Sequence, residues 1–239
     1  MSPTARRTVR VVGSVLAVLM VLAAAFSATA QLSRHSATTT HELSPGLTSV
    51  ELVNDVGTVH VTTVAAGERP RAVADATGGF LEPRFEVTED GGVASLDGHC
   101  PDNLWFGPCD VEWQLYLPAD AAVSVTTSVG DITVDGVGTA VRAEASVGSV
   151  RVLDVSADTV EALSSVGEVV VELDVPPSSL TATTSTGDVH VTVPDGDTTY
   201  RVRSSTSLGS VRTTVPVDDD SPHRLDLLTS IGDVTVRPG

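Results

Sequence analysis

One short motif, Ser-x-Gly followed by a small or acidic residue and then Val or Ile, constrains the fold of this chain more than any other feature. It first occurs as TSVGDITV, residues 127–134, and last as TSIGDVTV, residues 229–236. The motif glycines are separated by 18, 19, 20, 22 and 23 residues, and they are Gly130, Gly148, Gly167, Gly187, Gly209 and Gly232. A repeat of this length is typical of a solenoid, whose coils contact only their neighbours.

Apolar residues keep fixed positions relative to these glycines, but the alternation changes at the glycine itself. Before it, aliphatic or small residues stand seven, five, three and one positions away. After it, aliphatic residues stand two and four positions away. A strand alternates strictly between its two faces, so we predict a corner or bulge at each glycine, where positive φ has little steric cost. The residues one before the glycine are assigned to the inward face: Val129, Val147, Val166, Thr186, Leu208 and Ile231.

The serine two positions before each glycine is expected on the outward face. Its hydroxyl is suited to bond a backbone amide across the corner. These structural serines are Ser128, Ser146, Ser165, Ser185, Ser207 and Ser230. An earlier copy, SVELVNDVGTVHV, places Gly57 at the corner and Asp55 where the serine stands elsewhere.

The sequence therefore predicts an all-β chain, a β-solenoid resembling a parallel β-helix, with coils of about 18–23 residues. The repeat domain covers residues 48–239, and within it 62–118 loses the period and is expected to form irregular capping strands. The stretch FEVTEDGGVASL predicts a hairpin across residues 90–92. A sandwich of hairpins is the alternative, because Asp195-Gly196 resembles a tight-turn signal. A sandwich, however, does not require the same change of alternation at every motif.

The N-terminal residues have the layout of a signal peptide or a membrane anchor. Residues 1–10 contain Arg6, Arg7 and Arg10 and form a short cytoplasmic segment; residues 11–30 form an apolar helix, and residues 31–47 a polar linker. The apolar segment is long enough to span a bilayer, so we expect a single-pass protein of the cell membrane whose repeat domain is extracytoplasmic. Cleavage after Ala30, at an A-x-A site, would instead give a secreted protein.

Two cysteines, Cys100 and Cys109, are the only ones in the chain. An oxidising compartment outside the cytoplasm permits a disulfide between them. The loop that they bracket contains Trp105 and Phe106 in a chain with only 3% aromatic residues. A pinned aromatic pair is suited to bind a partner. The alternative is that the pair folds down as a plug over the first coil.

Charge and residue chemistry exclude several function classes. All 14 basic residues are arginine, and without the three in the N-terminal segment 11 remain against 31 acids, a formal charge of −20. Nucleic acid is not an expected partner of such a surface. The residues directly after the glycines include Asp131, Glu168 and Asp188, and we expect them to form a solvated polar edge rather than a calcium site or a pair of polysaccharide-cleaving acids. No catalytic residue, metal or cofactor is predicted, and the chain is not expected to be an enzyme.

The repeats behind one hydrophobic segment, led in by CDVEWQLYLPADAAVSVTTSVGDITVDGV, resemble a bacterial β-strand-repeat family of unknown function that is labelled putative adhesin. The resemblance covers residues 48–239 and implies a β-solenoid in the cell envelope, without catalytic residues. The expected function is a non-enzymatic, membrane-anchored scaffold or interaction module for envelope proteins or glycans. An envelope sensor and a polysaccharide-acting β-helix enzyme are the alternatives.

Overall fold

The computed structural model describes residues 18, 20, 21, 35–65, 67–79, 82–101 and 109–239. Val18, Met20 and Val21 are helical. Within the described ranges no helix has both the length and the apolar composition needed to cross a bilayer. Most of the segment 11–30, for which an apolar helix is predicted, lies outside those ranges.

The described chain from residue 35 onward is built of β-strands. In chain order they are β1 (His35–Glu42), β2 (Ser49–Val56), β3 (Val59–Thr63), β4 (Arg71–Gly78), β5 (Arg84–Asp90), β6 (Val93–His99), β7 (Cys109–Leu117), β8 (Ala122–Val129), β9 (Ile132–Asp135), β10 (Ala140–Val147), β11 (Val150–Val155), β12 (Thr159–Val166), β13 (Val169–Leu173), β14 (Ser179–Thr186), β15 (Val189–Val193), β16 (Arg201–Ser205), β17 (Val211–Thr213), β18 (Arg224–Ile231) and β19 (Val234–Pro238). They form one ten-stranded and one nine-stranded sheet.

Two strands that meet at a motif glycine form one rung of a parallel solenoid. At Gly130, β8 lies in the nine-stranded sheet and β9 in the ten-stranded sheet, and the rungs β10–β11, β12–β13 and β14–β15 follow in order. Equivalent positions pair across rungs without offset, as Val141 does with Val123 on one side and Val160 on the other. The predicted all-β solenoid is confirmed.

The order of the rungs in space differs from their order in the chain at both ends. The rung β18–β19 lies between β14–β15 and β16–β17, so the last rung of the sequence is not the last of the stack. At the other end, β2–β3 lies between β6–β7 and β8–β9. The early copy of the motif around Gly57 is therefore a regular rung, although 73 residues separate it from Gly130 in the sequence.

Antiparallel strands extend the stack beyond β6–β7. β5 pairs with β6 across the predicted hairpin, in which Asp90 lies opposite Val93. In the other sheet β4 pairs with β7, and β1 pairs with β4. Trp113 of β7 is fully buried here and makes an edge contact with Phe85 of β5, at 6.2 Å between ring centroids.

The core runs along the stack as columns of small and aliphatic side chains. Val125, Ala143, Ala162 and Ala182 are all 0% exposed and lie side by side in one column. Val150, Val169 and Val189 form a column of the opposite sheet, also 0% exposed. Burying a valine side chain contributes roughly 1.5–3 kcal/mol, so stacking repeated valines stabilises each rung through its neighbours.

The inward assignment of the residue directly before the glycine is wrong. Val129, Val147 and Val166 are 47%, 49% and 50% exposed. The last inward position is three residues before the glycine, where Thr127, Ala145 and Thr184 are each 1% exposed. The serine and the residue after it then both lie outside, in the corner.

Candidate interaction surface

The corner glycines allow adjacent rungs to approach each other closely. All seven have positive φ, from +131° at Gly57 to +153° at Gly167. A Cβ atom on Gly167 would lie inside the van der Waals envelope of the Gly148 carbonyl oxygen and 2.5 Å from its carbonyl carbon. The Gly167 N–H donates to the Thr186 carbonyl of the next rung at 2.9 Å. The corner therefore needs glycine both for its φ and for its lack of a side chain.

Buried hydroxyls support the corners from inside. Ser164 Oγ donates to the Gly148 carbonyl and Thr184 Oγ1 to the Gly167 carbonyl, both at 2.9 Å. Thr229 and Thr206 make the same bond to the glycine carbonyls of Gly187 and Gly232, also at 2.9 Å. From the sequence, these positions are predicted only to be inward and aliphatic or small, and the support of the corner is predicted for the serines two before the glycine. Those serines are exposed.

The acidic residues that follow the corner glycines bind backbone N–H groups of adjacent rungs. Asp131 Oδ1 accepts from the Ser149 N–H at 2.7 Å, and Asp188 Oδ1 accepts from the Asp233 N–H at 2.7 Å. Asp233 Oδ1 accepts from the N–H and the hydroxyl of Ser210, at 2.8 and 3.0 Å. These hydrogen bonds, first that of the Ser210 N–H, lower the pKa of the Asp233 carboxyl. These carboxylates link rungs to one another.

Glu168, in the same column, bonds side chains instead. Its carboxylate lies 3.4 Å from Arg151 Nη2 and 3.6 Å from His190 Nε2. Among the described residues no group of three or more His, Cys, Asp or Glu side chains has the arrangement of a metal site.

The outer surface of the corners carries a row of six side chains, five of them aliphatic and one a threonine, which we call the corner ridge. Neighbouring members are paired in register, and in spatial order the ridge is Val129, Val147, Val166, Thr186, Ile231 and Leu208. Ile231 is 51% and Leu208 67% exposed, similar to or greater than the valines. Contiguous exposed apolar residues are typical of interaction surfaces, whereas single ones are common everywhere.

A second exposed feature lies at the end of the stack that contains β6 and β7. Cys100 and Cys109 form a disulfide with a Cα–Cα distance of 5.8 Å. Asp55 Oδ2 accepts the Cys100 N–H at 3.0 Å and lies 3.2 Å from His99 Nδ1, so the residue that replaces the motif serine fixes the start of the disulfide loop. Trp105 and Phe106, the predicted partner-binding pair, lie outside the described residues.

An open cleft of about 530 Å³ lies beside this disulfide. It is lined by Pro83, Arg84, Phe85, Glu86, Asp97 and His99. The sequence offers no repeat or motif that would have indicated it, because its walls come from the antiparallel β5 and from the last residues of β6. Both charged and aromatic groups are therefore accessible within one site next to the disulfide loop.

A family model described as Toastrack DUF4097 matches residues 46–237. Among solved structures, the chain is similar to one from Clostridium sporogenes described as a putative cell adhesion protein, with 10% identity and a TM-score of 0.52, over 86% of this chain and 100% of that chain. A structure from Bacteroides fragilis described as a putative adhesin has 14% identity and a TM-score of 0.48, over 86% of this chain and 97% of that chain. No curated protein matches the chain.

Proposed function

The chain belongs to the Toastrack DUF4097 family, as its repeats predict, and on that premise we propose that it is a non-enzymatic, membrane-anchored interaction and scaffold module of the cell envelope. In this proposal the solenoid lies outside the cytoplasm and binds envelope proteins or glycans in the manner of an adhesin. The adhesin-like part follows the description of the Clostridium sporogenes protein, which shares the fold.

The observation that carries the proposal is the use of the repeated polar groups to connect adjacent rungs. The carboxylates of Asp131 and Asp188 and the hydroxyls of Ser164 and Thr184 are bound to backbone groups of adjacent rungs. Groups engaged in this way hold the rungs together. The repeats therefore form a rigid body, and a scaffold is the function that such a body serves directly.

The disulfide and the charge support an extracytoplasmic location. Disulfides such as Cys100–Cys109 persist in oxidising compartments and are rare in the cytosol. The formal charge of −20 beyond the N-terminal segment favours solubility in a crowded envelope. Residues 11–30 supply the anchor in this proposal.

We assign partner binding to the disulfide loop and the adjoining cleft. The loop carries Trp105 and Phe106, and aromatic side chains are frequent among residues that dominate binding energy. The cleft adds Arg84 and Glu86 on one side, with Asp97 and His99 on the other. An aromatic group beside charged groups of both signs suits a polar envelope protein or a glycan.

Photo-crosslinking and capture of envelope components from intact cells test this function. Full-length chain is compared with the double variant Trp105→Ala/Phe106→Ala and with the control Leu228→Ala, which removes an apolar side chain 46% exposed on the outer face of β18. We expect the loop variant to lose at least about fivefold of the captured partner and the control to lose none. Equal capture by all three would refute the assignment of the loop.

The location is tested separately by labelling an added surface cysteine with a membrane-impermeant maleimide on intact cells. Leu228→Cys is suitable because the two native cysteines are paired. Labelling without permeabilisation supports the extracytoplasmic placement. Labelling only after permeabilisation would contradict it.

A further inference from the structure

We propose that the corner ridge is a self-association surface, on which two copies of the chain pack side by side with their solenoid axes parallel. A two-fold axis along the ridge relates the copies. This inference rests on the ridge and on the two columns of residues beside it, and it is independent of the disulfide loop to which partner binding is assigned above.

The ridge is flanked by two columns of different hydrogen-bonding character. On one side stand the exposed corner serines, which can donate their hydroxyl hydrogens. On the other side stand the residues that follow the glycines, of which Asp131, Glu168, Asp188 and Asp233 are acidic and Ser149 and Ser210 are not; we call it the acidic column. The hydrogen bonds of Asp131 and Asp188 to adjacent rungs use Oδ1, and a carboxylate has a second oxygen that can accept a further hydrogen bond.

A two-fold axis along the ridge brings these two columns together. It places the serine column of one copy opposite the acidic column of the other, at the same rung. Ser165 then faces Glu168 of the second copy, and Ser185 faces Asp188. Each such contact forms twice, because the axis exchanges the copies. A hydroxyl that donates to a carboxylate makes a charge-assisted hydrogen bond.

The same columns argue against the other face-to-face arrangement. A two-fold axis perpendicular to the ridge would place carboxylates opposite carboxylates and serines opposite serines. Like charges in contact disfavour such a pairing, and the chain already carries a formal net charge of −17. The parallel arrangement is therefore favoured both by its own hydrogen bonds and by the repulsion between carboxylates in the antiparallel arrangement.

A second copy of the chain also has the same spacing of side chains as the ridge. Adjacent rungs are separated by about 4.8 Å, the spacing of neighbouring strands in a sheet. Side chains of a second solenoid repeat at the same interval, so every rung can make the same contact. Within one copy, the ridge positions from Val129 to Leu208 are paired in register from rung to rung.

The size of the ridge sets the expected strength of the contact. Half-exposed aliphatic side chains in one row present on the order of 400 Å² of apolar surface per copy, about half of what a standard interface buries. We therefore expect a weak dimer, with a dissociation constant of about 100 µM in solution. Confinement of two copies to one membrane would raise the dimer fraction through their effective concentration.

Cysteine crosslinking of the full chain in detergent micelles tests the parallel arrangement. In that arrangement each ridge residue meets its own copy, so Val129→Cys and Val147→Cys should each crosslink with themselves. Leu228→Cys, equally exposed but on the outer face of a sheet, is the control. We expect both ridge variants to give at least about tenfold more crosslinked dimer than the control at about 100 µM protein.

Two results would overturn the proposal. One is a yield from either ridge variant no higher than that of Leu228→Cys. The other is crosslinking of Val129→Cys only when it is mixed with Leu208→Cys, at the opposite end of the ridge, which would mean that the axes are antiparallel. Capture of envelope partners through the disulfide loop is unaffected by either result, so a failure here is distinct from a failure of the proposed function.

An exchange of residues between the flanking columns provides a second test. Ser165→Glu places two carboxylates opposite each other, and we expect the dissociation constant measured by sedimentation to rise about tenfold. The double variant Ser165→Glu/Glu168→Ser exchanges donor and acceptor and should return it to within about threefold of the original. Glu168 is chosen because its partners are the side chains of Arg151 and His190. No change in the single variant, or no recovery in the double variant, contradicts the proposed pairing.

Discussion

Replacing one corner glycine with alanine tests whether close approach of the rungs, and not only positive φ, requires glycine there. Gly167 has φ +153°, and a Cβ on it would lie 2.5 Å from the Gly148 carbonyl carbon and 3.0 Å from the Ser149 nitrogen. Gly196 has nearly the same φ, +150°, but no atom lies within 4 Å of its added Cβ. The two alanine variants therefore share the conformational cost and differ in the clash.

The structure gives the magnitude of each contribution. Holding a non-glycine residue in this region of φ costs about 1–3 kcal/mol, and this is the whole expected effect of Gly196→Ala. In Gly167→Ala the clash involves backbone atoms on both sides, and relief by shifting a rung strains the hydrogen bond from the Gly167 N–H to Thr186. Overpacking adds about 1–3 kcal/mol, so we expect a total of about 2–6 kcal/mol.

Guanidinium unfolding followed by far-ultraviolet circular dichroism measures the difference. The midpoint should fall in both variants and fall further in Gly167→Ala, with slopes similar to that of the unchanged chain. A steeper or shallower slope would show that the stack no longer unfolds cooperatively and that midpoints should not be compared. Equal destabilisation by the two alanines would refute the reasoning, because the approach of Gly148 would then contribute nothing.

Four further substitutions concern the hydrogen bonds at the corners. Thr184→Val should cost about 1–2 kcal/mol of unfolding free energy because it removes the donor to the partly buried Gly167 carbonyl. Thr127→Val should be neutral or stabilising because the Thr127 hydroxyl is buried without a partner, and equal effects of the two variants would contradict this. Ala145→Ser should stabilise the chain by about 0.5–1.5 kcal/mol, since it adds the hydroxyl that the equivalent position of the next rung has, and a lower denaturation midpoint would count against that geometry. Asp233→Asn should reduce the loss of stability on acidification. The lowered pKa of the Asp233 carboxyl stabilises the fold at pH values above the ordinary pKa of 3.8, and this contribution disappears as the pH falls through the folded-state pKa. If the denaturation midpoint of the variant fell with acid as steeply as that of the unchanged chain, the prediction would be wrong.

The sequence was sufficient for the rungs because their geometry is encoded in residue types. Val125 stands an odd number of residues before Gly130 and Ile132 an even number after it, yet both are apolar. Both can face inward only if the strand turns a corner at the glycine. The serine, however, shares the outward side with the residue after it. Alternation alone does not show where the corner begins, and for that reason it places Val129 on the wrong face. The hydroxyls of Ser164 and Thr184, in a column that otherwise faces an apolar interior, are the sequence signal that the corner begins directly after them.

The order of the rungs could not be predicted for a different reason. Every rung presents nearly the same columns on both sides, so β14–β15 is complementary to β16–β17 and to β18–β19 alike. The choice depends on the connecting turns and on the irregular surfaces at the ends of the stack. Likewise the Asp55 contact with Cys100 joins positions 45 residues apart, and no repeat marks it.

The exchanged order of the last two rungs has a mechanical consequence. A pull at the C-terminal end acts on β18–β19, which is clamped between two rungs rather than placed on an open face. Removal of that rung requires two sets of backbone hydrogen bonds to break together in each sheet, whereas an outermost rung would peel away one set at a time. The C-terminal rung therefore resists tension more than an outermost rung would, although it is the rung on which tension at that end acts first.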